Sequence, residues 1–378
     1  MDRRELESGA FRVLSGAWQA DVSYCVPNSE HYPHLWLWDS CFHSMAWAAV
    51  RDQRAAVELQ AVFRTQFENG FVPHMTYGKD EGVWRGPRPD VSCFTQPPVY
   101  ALALARVEDN GLSFDPSLVL GVSRALQYFS DCRMVDGLAK VVHPWETGCD
   151  DSPRWDSWVG SSSWNRAGWT AFDERLAASA GWGAEGDAHE NADFESVSSL
   201  FNGILAHALT LHGERHDDQH LTRAGARLAE SIELSLWDDD QGLYVDRAIV
   251  GGGPSVSVPT LDGILATLGT ASPERAAVAL EQLGDPDRFA GPQGLRYVAA
   301  DHPTYEAGTY WRGAAWPQLT LLAVEACRRW GFHELAGTIA DQARRTIPGS
   351  GWSGYWNPDT GEGLGAKPQT WAALAAAL

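Results

Sequence analysis

Fourteen residues from His143 to Asp156, His-Pro-Trp-Glu-Thr-Gly-Cys-Asp-Asp-Ser-Pro-Arg-Trp-Asp, carry four carboxylates, one arginine and two tryptophans. Carboxylates this close repel one another and raise each other's pKa, so one of them can stay protonated at neutral pH and act as a general acid. Pro144 and Pro153 exclude an uninterrupted helix that would spread the acids over separate faces, which leaves a loop lining a polar cleft. Trp145 and Trp155 offer flat apolar faces for a sugar ring, and Arg154 can orient a carboxylate or a hydroxyl. The run is no calcium loop, because its spacing departs from Asp-x-[Asp/Asn]-x-[Asp/Asn]-Gly. Cys149 has acidic neighbours that raise a thiol's pKa, so its expected role is packing.

Other chemistries find no support. Gly181-Trp-Gly-Ala-Glu-Gly186 matches Gly-x-Gly-x-x-Gly in form but follows an alanine-rich helical segment instead of a strand, which removes a dinucleotide site. Gly363-Leu-Gly-Ala-Lys367 lacks the spacing of a phosphate loop, and no serine sits in a Gly-x-Ser-x-Gly elbow. There is no His-Glu-x-x-His, and Pro33 keeps His31 and His34 off a shared helical face, so neither a metal nor a cofactor is expected. The six cysteines, at 25, 41, 93, 132, 149 and 327, form no Cys-x-x-Cys pair and signal neither zinc nor a disulfide framework.

A net charge of −20 sets the chain against nucleic acid and anionic membrane surfaces, and no Lys/Arg-rich run offsets it. The start, Met-Asp-Arg-Arg-Glu-Leu-Glu, has no apolar stretch, and no run approaches the ~18 apolar residues of a membrane span. A cytoplasmic location is the expectation. Oligomeric state is not legible.

Hydrophobic period predicts helices near 4–18, 40–52, 53–67, 97–109, 116–131, 169–180, 193–212, 217–237, 260–269, 273–283, 312–329 and 332–346, then an alanine-rich turn at 370–378. Ser272 before Pro273 marks a helix start, and Gly213 and Gly331 sit where stops are expected. Residues 242–245 and 294–298 suggest short hairpins. No linker or low-complexity tract divides the chain, so 1–378 reads as one domain. The fold class expected is all-α, an (α/α)6 toroid with short β-hairpins in its loops, six helices inside and six outside. The acidic and aromatic motifs fall between helices, where a toroid gathers its loops around one pocket. Many of the eighteen tryptophans lie beside acids or glycines, as ligand-holding aromatics do, while Trp47 and Trp330 read as core. Residues 157–192, with Trp158, Trp164, Trp169 and Trp182 interleaved with glycines, are a candidate lid loop.

Paired carboxylates on an aromatic pocket are the equipment of glycosidic bond cleavage. Six segments occur in one order: Tyr32-Pro-His-Leu-Trp-Leu-Trp-Asp-Ser-Cys-Phe-His43, Gly70-Phe-Val-Pro-His-Met75, Thr95-Gln-Pro-Pro98, the 143–156 run, Tyr310-Trp-Arg-Gly-Ala-Ala-Trp316 and Asn357-Pro-Asp-Thr-Gly-Glu-Gly-Leu-Gly365. Together they resemble glycoside hydrolase family 63, in particular its bacterial mannosylglycerate and glucosylglycerate hydrolases, and more distantly the trehalases. The resemblance spans roughly residues 30 to 378. It implies the toroid fold, inverting hydrolysis of a small α-glucoside or α-mannoside, and Asp150 as general acid. It also implies sugar or aglycone contacts from Trp36, Trp38, Asp39, Gln96, Arg154, Tyr310, Trp311, Arg312 and Trp316. Trp145, Glu146, Asp151 and Trp155 of the acidic loop, and Tyr355 beside Gly354, join them as candidate substrate contacts.

The chain departs from that pattern at one position. Where the family carries its base glutamate, before Tyr-Tyr/Trp-x-Pro-x-Thr-Gly-Glu, this chain has Gly354. Glycine supplies no carboxylate to activate water. Glu362 is taken as the substitute base, with Asp359 and Glu306 next in line. Three further possibilities stay open: phosphate as nucleophile in an inverting phosphorylase, a changed residue at this position, and a sugar-binding protein that has lost catalysis. A helical scaffold for protein association would explain the tryptophans but not the acidic run.

Overall fold

The computed structural model describes residues 2–77, 88–161, 163–252 and 257–378. Among them are fourteen α-helical segments: α1 (Arg3–Ala17), α2 (Leu37–Ala49), α3 (Arg54–Phe63), α4 (Tyr100–Asp109), α5 (Ser117–Cys132), α6 (Asp156–Val159), α7 (Arg166–Ser179), α8 (Ser199–Arg215), α9 (Gln219–Ser235), α10 (Leu261–Leu265), α11 (Pro273–Glu281), α12 (Tyr310–Gly313), α13 (Pro317–Arg329) and α14 (His333–Gly349). A 3₁₀ segment, Thr370–Ala376, follows. None of these helices is long and apolar enough to cross a membrane.

Burial divides the helices into two kinds. In α2 every residue from Leu37 to Ala48 is buried, and α4, α8 and α13 are buried nearly throughout, so each is enclosed by neighbours on all sides. In α9 only Leu221, Ala224, Gly225, Leu228 and Ile232 are buried, one stripe at helical spacing, and α5 and α14 show the same one-sided pattern. Contacts follow that division. Helix α2 packs on α4, α4 on α8, α8 on α10, α10 on α13, α13 on Thr370–Ala376, and that segment on α2. A one-sided helix lies against each of these: α3 on α2, α5 on α4, α9 on α8, α11 on α10, α14 on α13 and α1 on the terminal segment. One apolar cluster runs through them from Leu6 to Leu378.

Local signals act as their chemistry dictates. Ser272 caps α11 by accepting from Arg275 N–H, with Pro273 at the first helical position. Among the described residues, eight two-stranded antiparallel pairs connect the helices, including 243–244 with 237–238 and 294–295 with 290–291. Gly213 does not end α8, which continues to Arg215. A β-carbon there would strike Thr222 of α9, so this glycine permits close helix packing instead of marking a stop. Nor is 157–192 a loop. It holds most of α6, all of α7 and a hairpin pairing 180–182 with 188–191, with Trp169 fully buried.

Candidate active site

A cavity of about 250 Å³ opens where the helix-connecting segments meet, small among ligand pockets, which usually span about 300–1,000 Å³. Several segments build its wall. Residues 35–36 pair with 75–76 and lead straight into α2, so Trp36, Trp38 and Asp39 arrive at that helix's first turn. Gln96 Oε1 accepts the Trp38 backbone N–H at 3.1 Å, which ties the Thr-Gln-Pro-Pro turn to the helix start. Residues 310–316 contribute Tyr310, Trp311 and Trp316, and the 355–356/363–364 hairpin presents Tyr355. Trp311 stacks on Trp316 at 3.8 Å between centroids, and Trp316 on Tyr355 at 4.5 Å, a continuous aromatic face.

The acidic run folds as two 3₁₀ turns, Pro144–Thr147 and Pro153–Trp155, each with proline at its first position. The first turn sets Trp145 on the cavity wall. Between the two, Gly148 adopts φ +74° against the Trp38 ring, where any β-carbon would collide. That tight turn delivers Asp150 to the cavity, where the Trp311 indole N–H donates to its Oδ1 at 2.9 Å. Burial, then the charge of Asp151, pushes the Asp150 carboxyl up to about 7 against the opposing pull of Trp311 and Arg166. A carboxyl poised there holds a proton at neutral pH and can give it up. Burial likewise raises Asp39 to about 7, with His43 pulling the other way.

Several residues expected on the wall serve the loop's architecture instead. Glu146 is fully buried, pairs with Arg133 at 2.7 Å and accepts the backbone N–H groups of Val142 and Thr95. It clamps the acidic loop to the Gln96 turn. Arg154 is buried between Asp246 and Asp262, the latter at 2.5 Å, and Trp155 packs edge-on against Phe194 in the core. Arg312 pairs with Asp156 through both guanidinium nitrogens, at 2.5 and 2.7 Å. Asp151 lies behind Asp150, held by the Trp164 indole N–H at 2.8 Å and by Arg166 at 3.4 Å. A charge-dense loop needs counter-ions to fold, and Arg133, Arg154 and Arg312 are spent on that. The fields of Glu146 and Asp156, expected to raise Asp150, are answered by these arginines.

This arrangement makes a stability prediction. Arg154→Leu leaves Asp246 and Asp262 buried without their cation, and the unfolding free energy is expected to fall by about 3–5 kcal/mol. Urea denaturation reads the loss directly, and an unchanged midpoint would show that the pairing carries no weight.

Helix α7 supplies three wall residues that sequence reasoning did not single out: Arg166, Thr170 and Asp173. Asn165 caps it by accepting the Gly168 N–H. The signal was available in the spacing of Arg166, Thr170 and Asp173 on one helical face; the expected helix at 169–180 took in Thr170 and Asp173 but began after Arg166, which fell in the candidate lid loop. Gln369 and Trp371 were also missed, and both line the cavity.

The position expected to carry the base is bare. Gly354 lines the cavity, and a β-carbon there would meet only Gln369 at 3.6 Å and Ala366 N at 3.8 Å, ordinary contacts that leave room for a side chain. Glu362, expected as the substitute, is exposed and is not among the residues lining the cavity. Asp359 is bound by Arg296 at 2.9 Å and by Tyr305 at 3.0 Å, and Glu306 is exposed away from the wall. Apart from Asp150, the lining carboxyls among the described residues are Asp39 and Asp173. Lys367, Arg344 and Arg345, the cations nearest Gly354 in sequence, do not line it either. Among the described residues, Cys25, His43 and Glu58 lie close enough to share a metal. Internal hydrogen bonds already occupy them: Glu58 accepts the Cys25 N–H and faces His43 Nδ1 at 3.2 Å, and Thr370 meets His43 Nε2.

Comparison with known proteins agrees with this geometry. The family model described as the mannosylglycerate hydrolase MGH1-like glycoside hydrolase domain matches residues 32–372. The mannosylglycerate hydrolase of Thermus thermophilus is 27% identical over 412 residues, covering 94% of this chain and 96% of that protein. The glucosylglycerate hydrolase of Mycolicibacterium hassiacum is 26% identical, with 91% of each chain covered. A crystal structure of the Thermus thermophilus family 63 mannosylglycerate hydrolase with Tris and D-glycerate superposes with a TM-score of 0.82 at 26% identity, over 98% of this chain and 99% of that one.

Proposed function

Because the chain belongs to the mannosylglycerate hydrolase MGH1-like glycoside hydrolase family, and is thereby a glycosidase, we propose that it hydrolyses a small α-glycoside with an anionic aglycone, glucosylglycerate or mannosylglycerate, with inversion. The closed circuit of enclosed helices, each backed by a one-sided helix, supports the (α/α)6 toroid as its architecture. Asp150 is the general acid: it protonates the glycosidic oxygen as the bond to the anomeric carbon breaks, and water adds to the opposite face. Its raised pKa and the hydrogen bond from Trp311 support that role. The aromatic face of Trp311, Trp316 and Tyr355 packs against the substrate, and Asp39 and Gln96 are polar contacts for hydroxyls.

No side chain at 354 takes the water's proton; of the other lining carboxyls, Asp173, held at about 9, is protonated at neutral pH, and Asp39, held at about 7, is only about half ionised there and is engaged as a hydroxyl contact. Attack therefore relies on solvent to accept that proton, and turnover is slow. Phosphorolysis is not favoured, since among the described residues the lining offers a phosphate dianion no Lys or Arg besides Arg166, which the aglycone carboxylate claims.

The observation that carries the substrate class is Arg166, the one Lys or Arg on the lining among the described residues, which sits over Tyr310 at 5.2 Å. A glycerate carboxylate is the natural partner of a cation placed beside the general acid. Arg166→Gln is expected to raise KM for glucosylglycerate roughly tenfold, a moderate value because its side chain is 59% exposed, and to leave KM for glucosylglycerol unchanged. Equal losses on both substrates would detach Arg166 from aglycone recognition.

A further inference from the structure

Helix α7 places a second acid on the cavity wall for which the reaction has no use. Arg166, Thr170 and Asp173 fall at i, i+4 and i+7 and all line the cavity, so a ligand group held by Arg166 lies along the stripe that ends at Asp173. Asp173 is 6% exposed, and its Oδ1 is buried with no hydrogen-bond partner. Buried polar atoms are almost always paired, and one left unpaired on a cavity wall is a place for a ligand atom.

We infer that Asp173 is a specificity-determining residue that, as a neutral carboxylic acid, donates its O–H to the same aglycone carboxylate that Arg166 pairs with. This rests on the substrate reading above and adds a second contact to it. An O–H···O⁻ bond of this kind is short and strong, whereas an ionised Asp173 would repel the anion.

The surroundings keep that proton in place. Burial is the largest influence, and the charges of Asp151 and Asp150 on the acidic loop act in the same direction. Arg166 on its own helix and the Trp145 indole oppose them. His143, whose Nε2 lies 3.3 Å from the Asp173 carbonyl oxygen, is pushed down to about 3 by burial and carries no charge to offset them. The balance holds Asp173 at about 9. Its protonated form is therefore complete at neutral pH and is lost as pH rises through 9.

The test is calorimetric binding of D-glycerate, alone, to the parent, Asp173→Asn and Asp173→Leu between pH 6 and 10. Asparagine keeps a donor and cannot ionise; leucine keeps neither property. The parent Kd is expected to weaken about tenfold or more as pH passes 9. Asp173→Asn should keep the neutral-pH affinity and lose that step, and Asp173→Leu should bind about tenfold more weakly throughout. Any earlier step near 7 belongs to Asp150 and Asp39, and it is removed only when both carry asparagine. The inference is overturned if the parent and Asp173→Asn share one pH profile, or if Asp173→Leu binds as the parent does. Absence of glycerate binding in every variant also overturns it, and sugar release from neutral α-glycosides would then show that the cleavage reading survives on its own.

Discussion

Asparagine in place of Asp150 is expected to lower kcat for glucosylglycerate by about 10²–10⁴-fold, the usual worth of a positioned general acid, with little change in KM. The substitution is nearly isosteric, and the amide oxygen can still accept the Trp311 N–H at the position where the carboxylate accepts it at 2.9 Å. What disappears is the proton for the departing glycerate oxygen. A donor whose leaving group needs no proton, α-glucosyl fluoride, should therefore be spared most of the loss. The pH dependence follows from the same carboxyl. Its pKa is raised to about 7 and the protonated form is the active one, so kcat/KM holds on the acid side and falls about tenfold per unit above 7. Equal losses on the glycoside and the fluoride would mean that Asp150 shapes the cavity and does not supply the proton.

Glutamate at position 354 is expected to do the opposite, raising hydrolysis by about 10²–10⁴-fold. The backbone there lies outside the left-handed region, and a β-carbon meets its neighbours at ordinary distances, so the side chain enters without moving the wall. The parent should show only the descending limb near 7. Gly354→Glu should add an ascending limb near the ordinary glutamate value of about 4.3, turning the profile into a bell. No gain and no new limb would mean that another group already activates the water, with Asp39 the first to test by Asp39→Asn.

Much of the fold was legible because period and caps act locally. The helix stripes of α5, α9 and α14 and the Ser272-Pro273 start are properties of a few adjacent residues. The hairpins at 243–244 and 294–295 were visible for the same reason. The wall tryptophans and Asp150 could be picked out by type and by resemblance. What sequence could not apportion was which charge answers which. Arg154 and Arg312 look like ligand-binding residues in a string of letters, yet Asp262 and Asp156, each distant along the chain from its arginine, claim them in the fold. Arg166 joins Asp173 on the cavity wall because the helix starts at 166, a turn earlier than the 169–180 that hydrophobic period suggested. Glu362 shares a motif with Gly354, but the hairpin turns it outward.

The central claim is that this cavity cleaves an α-glycoside with inversion, using Asp150 as acid and no side-chain base at 354. Proton NMR of glucosylglycerate with freshly added parent protein tests it most directly. The account predicts slow release of glucose that appears first as the β-anomer, faster in Gly354→Glu and absent in Asp150→Asn. Initial α-anomer, or silence in the parent and in Gly354→Glu alike, would contradict it.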